Sequence, residues 1–285
     1  MEAYIIKGYR SAVGKAKKGG FKNYRSDDLS VEVIKYLMAS VPEIDPKSVD
    51  DVIVGCANPE GEQGLQVGRL ISARALGKEV PGITINRYCA SGLEAISQAV
   101  SKINAGFGHV YIAGGAESMS MIPFAGYKLA PSYKANLENL NYHVGMGATA
   151  EAVAGKYNIS REAADKFSYD SHMKAASAID GGKFKDQIVP IEIEEVFVAD
   201  GKRKTKTHSV SVDEGVRRET SLEGLAKLRP AFKIGGTVTA GNASQTSDGA
   251  AFVIVMSEKM VKELKLLKVS LNLLMNSKEK FSLIH

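Results

Sequence analysis

The chain of 285 residues has only two cysteines, Cys56 and Cys89, and no long apolar run. Two cysteines cannot build the disulfide framework of a small secreted domain, so the sequence favours a reducing compartment. No apolar run approaches the roughly 20 residues that a transmembrane helix needs. The N-terminus opens on the strand-like residues 3–6 instead of an apolar signal core, which indicates a protein that is not exported. We therefore predict a cytoplasmic protein that does not interact with membranes.

Charge and motif content argue against several other ligand classes. The net charge of +5 suits an anionic ligand but is too small to indicate nucleic acid, and the basic run 202–206 has no interleaved aromatic residues. Gly114 and Gly115 follow a predicted strand, but they do not give the G-x-G-x-x-G spacing of dinucleotide-binding loops. No residues have the spacing of metal ligands. We expect no nucleic-acid partner, no metal and no bound cofactor.

Apolar patterns predict alternating strands and helices in the first 118 residues. Short β-branched runs indicate buried strands, and apolar residues three or four positions apart indicate the helices between them. The predicted strands are residues 3–6, 51–56, 83–85, 110–113 and, much later, 249–256. This order indicates an α/β fold with a largely parallel sheet flanked by helices. Cys56 lies in one of the apolar runs and is predicted to be in the core.

Residues 119–242 depart from this pattern. Residues 119–146 are rich in Gly, Pro, Ser, Tyr and Asn without a period, which is typical of loops. Ser160 is predicted to cap a helix, and Asp200-Gly201 to turn a β-hairpin. We therefore predict an N-terminal α/β domain of residues 1–118 and 243–262, an inserted α+β loop domain of residues 119–242, and a tail of residues 263–285.

Cys89 lies at the centre of a small-residue turn between the strand at 83–85 and the helix that follows. This position puts its sulfur near a helix N-terminus, where unpaired N–H groups and the helix dipole favour a thiolate. A similar strand-to-helix turn carries the serine nucleophile of other enzymes. A small buried cysteine that only packs is the alternative, and spacing alone does not decide between the two.

Five motifs occur in order between Met1 and about Lys262. They are NPEG (58–61), NRYCASG (86–92), AGGAESMS (113–120), LEGLAKLRPAF (222–232) and GTVTAGNAS (236–244). Together they resemble the thiolases, the acyltransferases that make or cleave 3-ketoacyl-CoA. The resemblance implies a thiolase-like half-fold, in which a mixed, largely parallel sheet flanked by helices carries the inserted loop domain.

The resemblance also implies binding roles for five residues outside the turn. Arg217 or Arg218 lies where the family contacts the CoA nucleotide, and Ser244 matches a serine beside the pantetheine arm. His143 lies beside a segment that resembles pocket-lining residues, and Met146 is a candidate for the wall of an acyl pocket. Solvated surface, turn formation and packing are the alternatives for these side chains.

By the same resemblance, Cys89 is the catalytic residue, attacking an acyl-CoA thioester and carrying the acyl group. The family also uses Gly-His-Pro, Cys-x-Gly and Asn-x-Asn-Gly motifs, and none of them occurs in the 285 residues. Two hypotheses follow: a thiolase-type acyltransferase that acts on acetyl-CoA and 3-ketoacyl-CoA, or a truncated, catalytically deficient relative that only binds CoA or a partner chain. A ketoacyl synthase or hydroxymethylglutaryl-CoA synthase would share the nucleophile, but residues 113–120 favour a thiolase.

The family implies a homo-oligomer if the chain folds. The Lys- and Leu-rich tail from Lys265 carries no family motif. We interpret it as a shifted reading frame or a premature end, with an amphipathic helix as the alternative.

Overall fold

The structure is a computed structural model that describes residues 2–266. Its strands are β1 (Ala3–Arg10), β2 (Gly14–Lys15), β3 (Asp51–Gly55), β4 (Gly82–Ile85), β5 (Val110–Ser118), β6 (Ile191–Ala199), β7 (Lys202–Val210) and β8 (Ser247–Ser257). Its α-helices are α1 (Ser26–Ala39), α2 (Val67–Ala75), α3 (Ser91–Asn104), α4 (Tyr133–Glu138), α5 (Met146–Lys156), α6 (Arg161–Asp180), α7 (Leu222–Ala226) and α8 (Glu258–Glu263). The five predicted strands are confirmed, and the predicted tail lies outside the described residues from residue 267 onward.

The sheet is mixed, as predicted, and its strand order is β1-β8-β5-β3-β4 with β2 also paired to β8. It is not largely parallel, because three of its five strand pairings are antiparallel. Parallel pairing is confined to β3 with its neighbours β4 and β5, while β8 runs antiparallel to both β1 and β5. Strand β3 lies between β5 and β4 and is buried along its whole length, which explains its continuous apolar run. The carboxyl ends of β3, β4 and β5 therefore meet at one edge of the sheet.

Helix α3 covers one part of this sheet through small residues. Ala95, Ala99 and Ile103 have no exposed surface and form a cluster with residues of β3, β5 and β8. The two alanines let the helix approach the strands closely. The first turn of α3 is therefore held near the strand ends. Helices α1 and α2 pack against each other and against the sheet.

The described chain divides into two compact units, and the boundaries differ from the predicted domains. The first unit holds residues 2–127, 185–214 and 246–266, and the second holds residues 128–184 and 215–245. The prediction had assigned all of 119–242 to the insertion. The β6–β7 hairpin, with its predicted turn at Asp200-Gly201, belongs instead to the first unit.

Contacts of Arg10 at the end of β1 explain why residues 185–214 group with the first unit. Its N–H donates to the carbonyl of Gln187 at 3.0 Å, and its own carbonyl accepts from Val189 at 2.8 Å. The Arg10 guanidinium forms a two-bond ion pair with Asp213, at 2.7 and 2.9 Å. Burial alone would raise the pKa of Asp213, but hydrogen bonds from Arg10 and the Val13 N–H outweigh burial and lower this pKa.

Three of the four α-helices in the second unit, α4, α6 and α7, begin at a serine cap. The hydroxyls of Ser132, Ser160 and Ser221 accept from backbone N–H groups at the starts of α4, α6 and α7. Ser160 therefore caps the long helix α6, as predicted, whereas α4 lies in a segment predicted to be a loop. Between residues 2 and 266, no helix is both long and apolar enough to cross a membrane.

We expect Asp213→Asn to lower the free energy of unfolding by about 1–3 kcal/mol at pH 7, because Arg10 loses a half-buried charged partner. Since the pKa of Asp213 is lowered in the folded chain, this contribution is complete above the unfolded value of about 3.9 and is lost as the pH falls below it. Urea unfolding of both proteins at pH 7, 4 and 2.5 measures the difference, which should shrink only at the lowest of these pH values.

Asp200→Asn is the matched control, because the Asp200–Lys204 pair is exposed and contributes little. Equal losses in the two variants, or a difference at Asp213 that does not shrink toward acid pH, would contradict this assignment.

Candidate active site

Cys89 lies in the turn between β4 and α3, and its side chain is exposed. Helix α3 begins two residues later at Ser91, with Ala90 as the N-cap and no side-chain cap. The structure thus places this sulfur at the solvent-facing start of a helix, the location expected of it, and not in the core.

The turn is held in an uncommon backbone conformation. Tyr88 has a φ of +47°, in the left-handed region that costs a residue with a side chain about 1–2 kcal/mol. The Asn86 side-chain oxygen accepts from the Tyr88 N–H at 2.8 Å. The Ser91 hydroxyl accepts from the Arg87 N–H at 2.8 Å and donates to the Tyr88 carbonyl at 2.6 Å. These bonds offset the cost and fix the direction in which the next residue, Cys89, leaves the turn.

The start of α3 lies against the end of β3, where only glycine fits. A Cβ at Gly55 would lie 2.6 Å from the Ser91 carbonyl carbon, which is shorter than any ordinary contact. The neighbouring Cys56 N–H donates to the Ile85 carbonyl at 3.0 Å and ties the ends of β3 and β4 together. The turn therefore rests on a tightly packed backbone.

Cys56 lies in the core, as predicted, whereas Cys89 is exposed. Cys56 is 2% exposed, and burial, together with the negative charge of Glu117, raises its pKa to about 12. It is therefore a protonated thiol at neutral pH. A thiol in this state is a packing group and not a nucleophile.

A cavity of about 450 Å³ opens on the first unit beside the first turns of α3. Gly92 and Ile96 of the helix line it, together with Gly114 of β5 and Ala251 of β8. Leu93, on the same helical turn, is 72% exposed. The helix start next to Cys89 is therefore accessible and largely apolar.

The five candidate binding residues lie in the second unit, and all five are exposed. The Arg217 N–H donates to the His172 ring nitrogen at 3.2 Å, and the Arg218 guanidinium pairs with Asp180 at 2.6 Å. The Ser244 hydroxyl donates to the neighbouring Gln245 carbonyl at 3.3 Å. The two remaining candidates flank one loop: His143 ends a 3₁₀ turn and Met146 begins α5.

The sequence analysis did not single out Asn86 or Ser91, whose side chains build the turn around Cys89. Both stand in the NRYCASG motif, three residues before and two residues after the cysteine. Asn and Ser are the residue types that bond to nearby backbone groups in turns, so their presence was an available signal. Within residues 2–266 there is no group of three or more His, Cys, Asp or Glu side chains that could hold a metal ion.

Comparison with known proteins places these features in a family. Residues 3–259 match the model of the thiolase N-terminal domain. The chain is 48% identical over 260 residues to a 3-ketoacyl-CoA thiolase of Bacillus subtilis, covering 90% of this chain and 66% of the relative. It is 42% identical to the peroxisomal 3-ketoacyl-CoA thiolase 1 of Arabidopsis thaliana, covering 90% of this chain and 57% of the relative.

A solved structure gives the same assignment at the level of fold. The crystal structure of the Bacillus anthracis acetyl-CoA acetyltransferase superposes with a TM-score of 0.80 at 35% identity, covering 94% of this chain and 68% of that one. The chain spans less than two thirds of the length of the two curated relatives.

Iodoacetamide should modify Cys89 and spare Cys56 in the folded chain at pH 7 to 8. Cys89 is exposed, whereas Cys56 is both buried and protonated, because its pKa of about 12 lies far above this pH. Intact-mass measurement should show one adduct per chain, which Cys89→Ala abolishes and Cys56→Ala retains. Two adducts should form in urea, where both thiols are exposed. A modified Cys56 or a protected Cys89 in the folded chain would contradict the structure.

Proposed function

The chain belongs to the thiolase family, and from that membership we propose that it transfers acyl groups between CoA thioesters through an acyl-cysteine at Cys89. The observation that supports this most directly is the exposed Cys89 at the start of α3, in the left-handed turn of the NRYCASG motif. The names of the relatives support 3-ketoacyl-CoA as the substrate class and a role in fatty acid metabolism. Making and cleaving the 3-ketoacyl chain are the two directions of one reaction at the same cysteine.

In the first step, the Cys89 thiolate attacks the carbonyl carbon of an acyl-CoA. A bond forms between Sγ and this carbon, the bond to the CoA sulfur breaks, and the CoA thiolate leaves and takes up a proton. In the second step, acetyl-CoA gives up an α-proton to solvent, and the resulting carbanion attacks the acyl-cysteine, so that the bond to Sγ breaks and 3-ketoacyl-CoA leaves. In the cleaving direction, the Cys89 thiolate attacks the 3-keto carbon of 3-ketoacyl-CoA, the C2–C3 bond breaks, and the acetyl-CoA carbanion leaves and takes up a proton. A CoA thiolate then attacks the acyl-cysteine to give the shortened acyl-CoA. Each route returns Cys89 as a free thiolate.

Further contacts are proposed for the CoA handle, by the family resemblance of the residues concerned. Arg217 and Arg218 suit the anionic phosphates, and Ser244 suits the polar pantetheine arm. His143 and Met146 are proposed to face the acyl end. The family further supports a homo-oligomer, and the two-cysteine content supports a reducing compartment such as the cytoplasm.

One feature favours a second candidate function, the binding of CoA without complete turnover. The 285 residues contain neither Gly-His-Pro nor Cys-x-Gly, the motifs that supply the family's base and its second cysteine. General acid–base assistance is worth about 10²–10⁴-fold for each group, so a chain without both groups would form the acyl-cysteine slowly and release it more slowly still.

We expect acetyl-CoA to leave one acetyl group on the chain, located on Cys89 by peptide mass mapping. Cys89→Ala should abolish this adduct, and Cys56→Ala should leave it unchanged because Cys56 is buried and protonated. Thiolysis of acetoacetyl-CoA by CoA is measured in parallel. An adduct with turnover supports the acyltransferase, an adduct without turnover supports the second candidate, and an unmodified wild-type chain contradicts both steps above.

Arg217→Ala/Arg218→Ala should weaken CoA binding about tenfold or more in isothermal titration calorimetry, since charge-assisted hydrogen bonds contribute about 1.5–3 kcal/mol each. The control Arg203→Ala/Lys204→Ala removes the same charge from the exposed β7 and should change the affinity less than twofold. Equal losses would indicate a general effect of net charge, and unchanged binding in both would contradict the proposed contacts.

A further inference from the structure

A series of hydrogen bonds starts at Glu117, near the end of β5. One oxygen of its carboxylate accepts from the Ala57 N–H at 2.7 Å, and the other accepts from the Gln63 side-chain nitrogen at 2.5 Å. Both donors come from the segment that follows β3. The Gln63 side chain is fully buried, so its bond to Glu117 is shielded from water.

The orientation of the Gln63 amide is fixed by its other partners. Its oxygen accepts from the Ser118 N–H at 2.6 Å, while its nitrogen also donates to the Asn58 carbonyl at 2.9 Å and lies 3.3 Å from the Cys56 sulfur. The amide therefore directs N–H groups toward Glu117 and cannot present its oxygen there without losing the bond to Ser118.

Ala57 connects Glu117 to the turn that carries Cys89 through hydrogen bonds of its N–H and its carbonyl. Its N–H is held by Glu117, and its carbonyl accepts from the Asn86 side-chain nitrogen at 2.9 Å. The Asn86 oxygen in turn holds the N–H of Tyr88, the left-handed residue of the turn. A shift at Ala57 would move Asn86 and loosen the residue directly before the nucleophile.

We propose that Glu117 is a positioning residue for Cys89, acting through Ala57 and Asn86. This inference rests on the proposed function, because positioning matters only if Cys89 attacks a thioester. The carboxylate supplies two acceptors to two N–H donors, and an amide at position 117 would supply only one. Misplacing a nucleophile by about 1 Å can cost a reaction about 100-fold, whereas simple exposure of the thiol would be unaffected.

The geometry provides a pair of variants that separates positioning from stability. In Glu117→Gln, the new amide nitrogen faces either the Gln63 amide nitrogen or the Ala57 N–H. Two N–H donors then point at each other without an acceptor between them. The reciprocal double variant Gln63→Glu/Glu117→Gln restores the pairing: the new glutamine accepts from Ala57 and donates to the new glutamate, which still accepts from Ser118. The double variant gives up the donations of Gln63 to Asn58 and Cys56 and turns a carboxylate oxygen toward the Asn58 carbonyl, so its recovery should be incomplete.

We expect Glu117→Gln to slow the transfer of acetyl from acetyl-CoA to Cys89 at least tenfold, and the double variant to recover to within threefold of wild type. Iodoacetamide alkylation of Cys89 should stay within twofold in all proteins, because it requires an exposed thiolate but no positioning against a bound thioester. Glu62→Gln is the control, since the Glu62 carboxylate only accepts from the Tyr127 hydroxyl at 3.2 Å. A transfer rate that stays at the wild-type value in Glu117→Gln would overturn the proposal.

Hydrogen exchange of the Tyr88 amide gives a second measurement that does not depend on catalysis. It should be at least fivefold faster in Glu117→Gln and return toward the wild-type rate in the double variant. If wild-type Cys89 accepts no acetyl group, the proposed function fails, and exchange alone decides whether Glu117 orders the turn. Unchanged exchange would show that it does not.

Asn86→Ala tests the same series of bonds at its exposed end and leaves the buried bonds among Glu117, Gln63 and Ala57 in place. Asn86 is exposed, so this variant should fold even if Glu117→Gln does not. It should slow acetyl transfer at least as much as Glu117→Gln while leaving alkylation within twofold. Wild-type transfer in Asn86→Ala would contradict the route from Glu117 to Cys89.

Discussion

Tyr88 holds a φ of +47°, and side-chain hydrogen bonds from Asn86 and Ser91 keep it there. This left-handed residue sets the direction of the chain between β4 and α3, and with it the exposure of Cys89. Close packing around the turn allows this chain direction. Gly55 lets the helix start approach the end of β3, and small residues along α3 bring the helix close to the sheet. A side chain at residue 55 or a wider helix spacing would displace the turn itself.

The two cysteines show that the surroundings of a thiol, more than its residue type, determine its exposure and reactivity. Cys56 and Cys89 follow neighbouring strands of one sheet, β3 and β4, yet one is buried beside a carboxylate and the other is exposed at a helix start. Burial and a nearby negative charge both disfavour a thiolate, so Cys56 is chemically quiet although it lies beside the same network of bonds. The contrast arises because Cys56 directly follows β3, whereas residues 86–88 form a turn between β4 and Cys89.

Local patterns predicted most of the elements, because burial and helix capping act over a few residues. The apolar run of β3 and the serine cap of α6 are of this kind. The grouping of residues 185–214 with the first unit was not predictable, because it depends on Arg10 meeting Asp213, 203 residues away. The same holds for Glu117 and Ala57, which are 60 residues apart. A hydrogen bond across such distances leaves no period in the sequence. The motif around Cys89 predicted its place at the start of a helix but not the distant residues that hold the turn.

In both units of the described chain, a carboxylate holds a loop by accepting hydrogen bonds from backbone N–H groups. Glu117 holds Ala57, and in the second unit Glu151 accepts from Thr237 and Val238. A carboxylate can hold two donors on two separate oxygens, whereas an amide offers one acceptor oxygen and a lysine offers none. Hydrogen bonds from the Thr237 and Val238 N–H groups lower the pKa of Glu151, so this carboxylate stays ionised and keeps accepting well below neutral pH. The opposite case is Asp248, whose pKa burial raises despite its bonds to Ser120. Burial and backbone donors therefore compete at each such carboxylate, and the balance decides whether its ionised form favours folding or costs free energy.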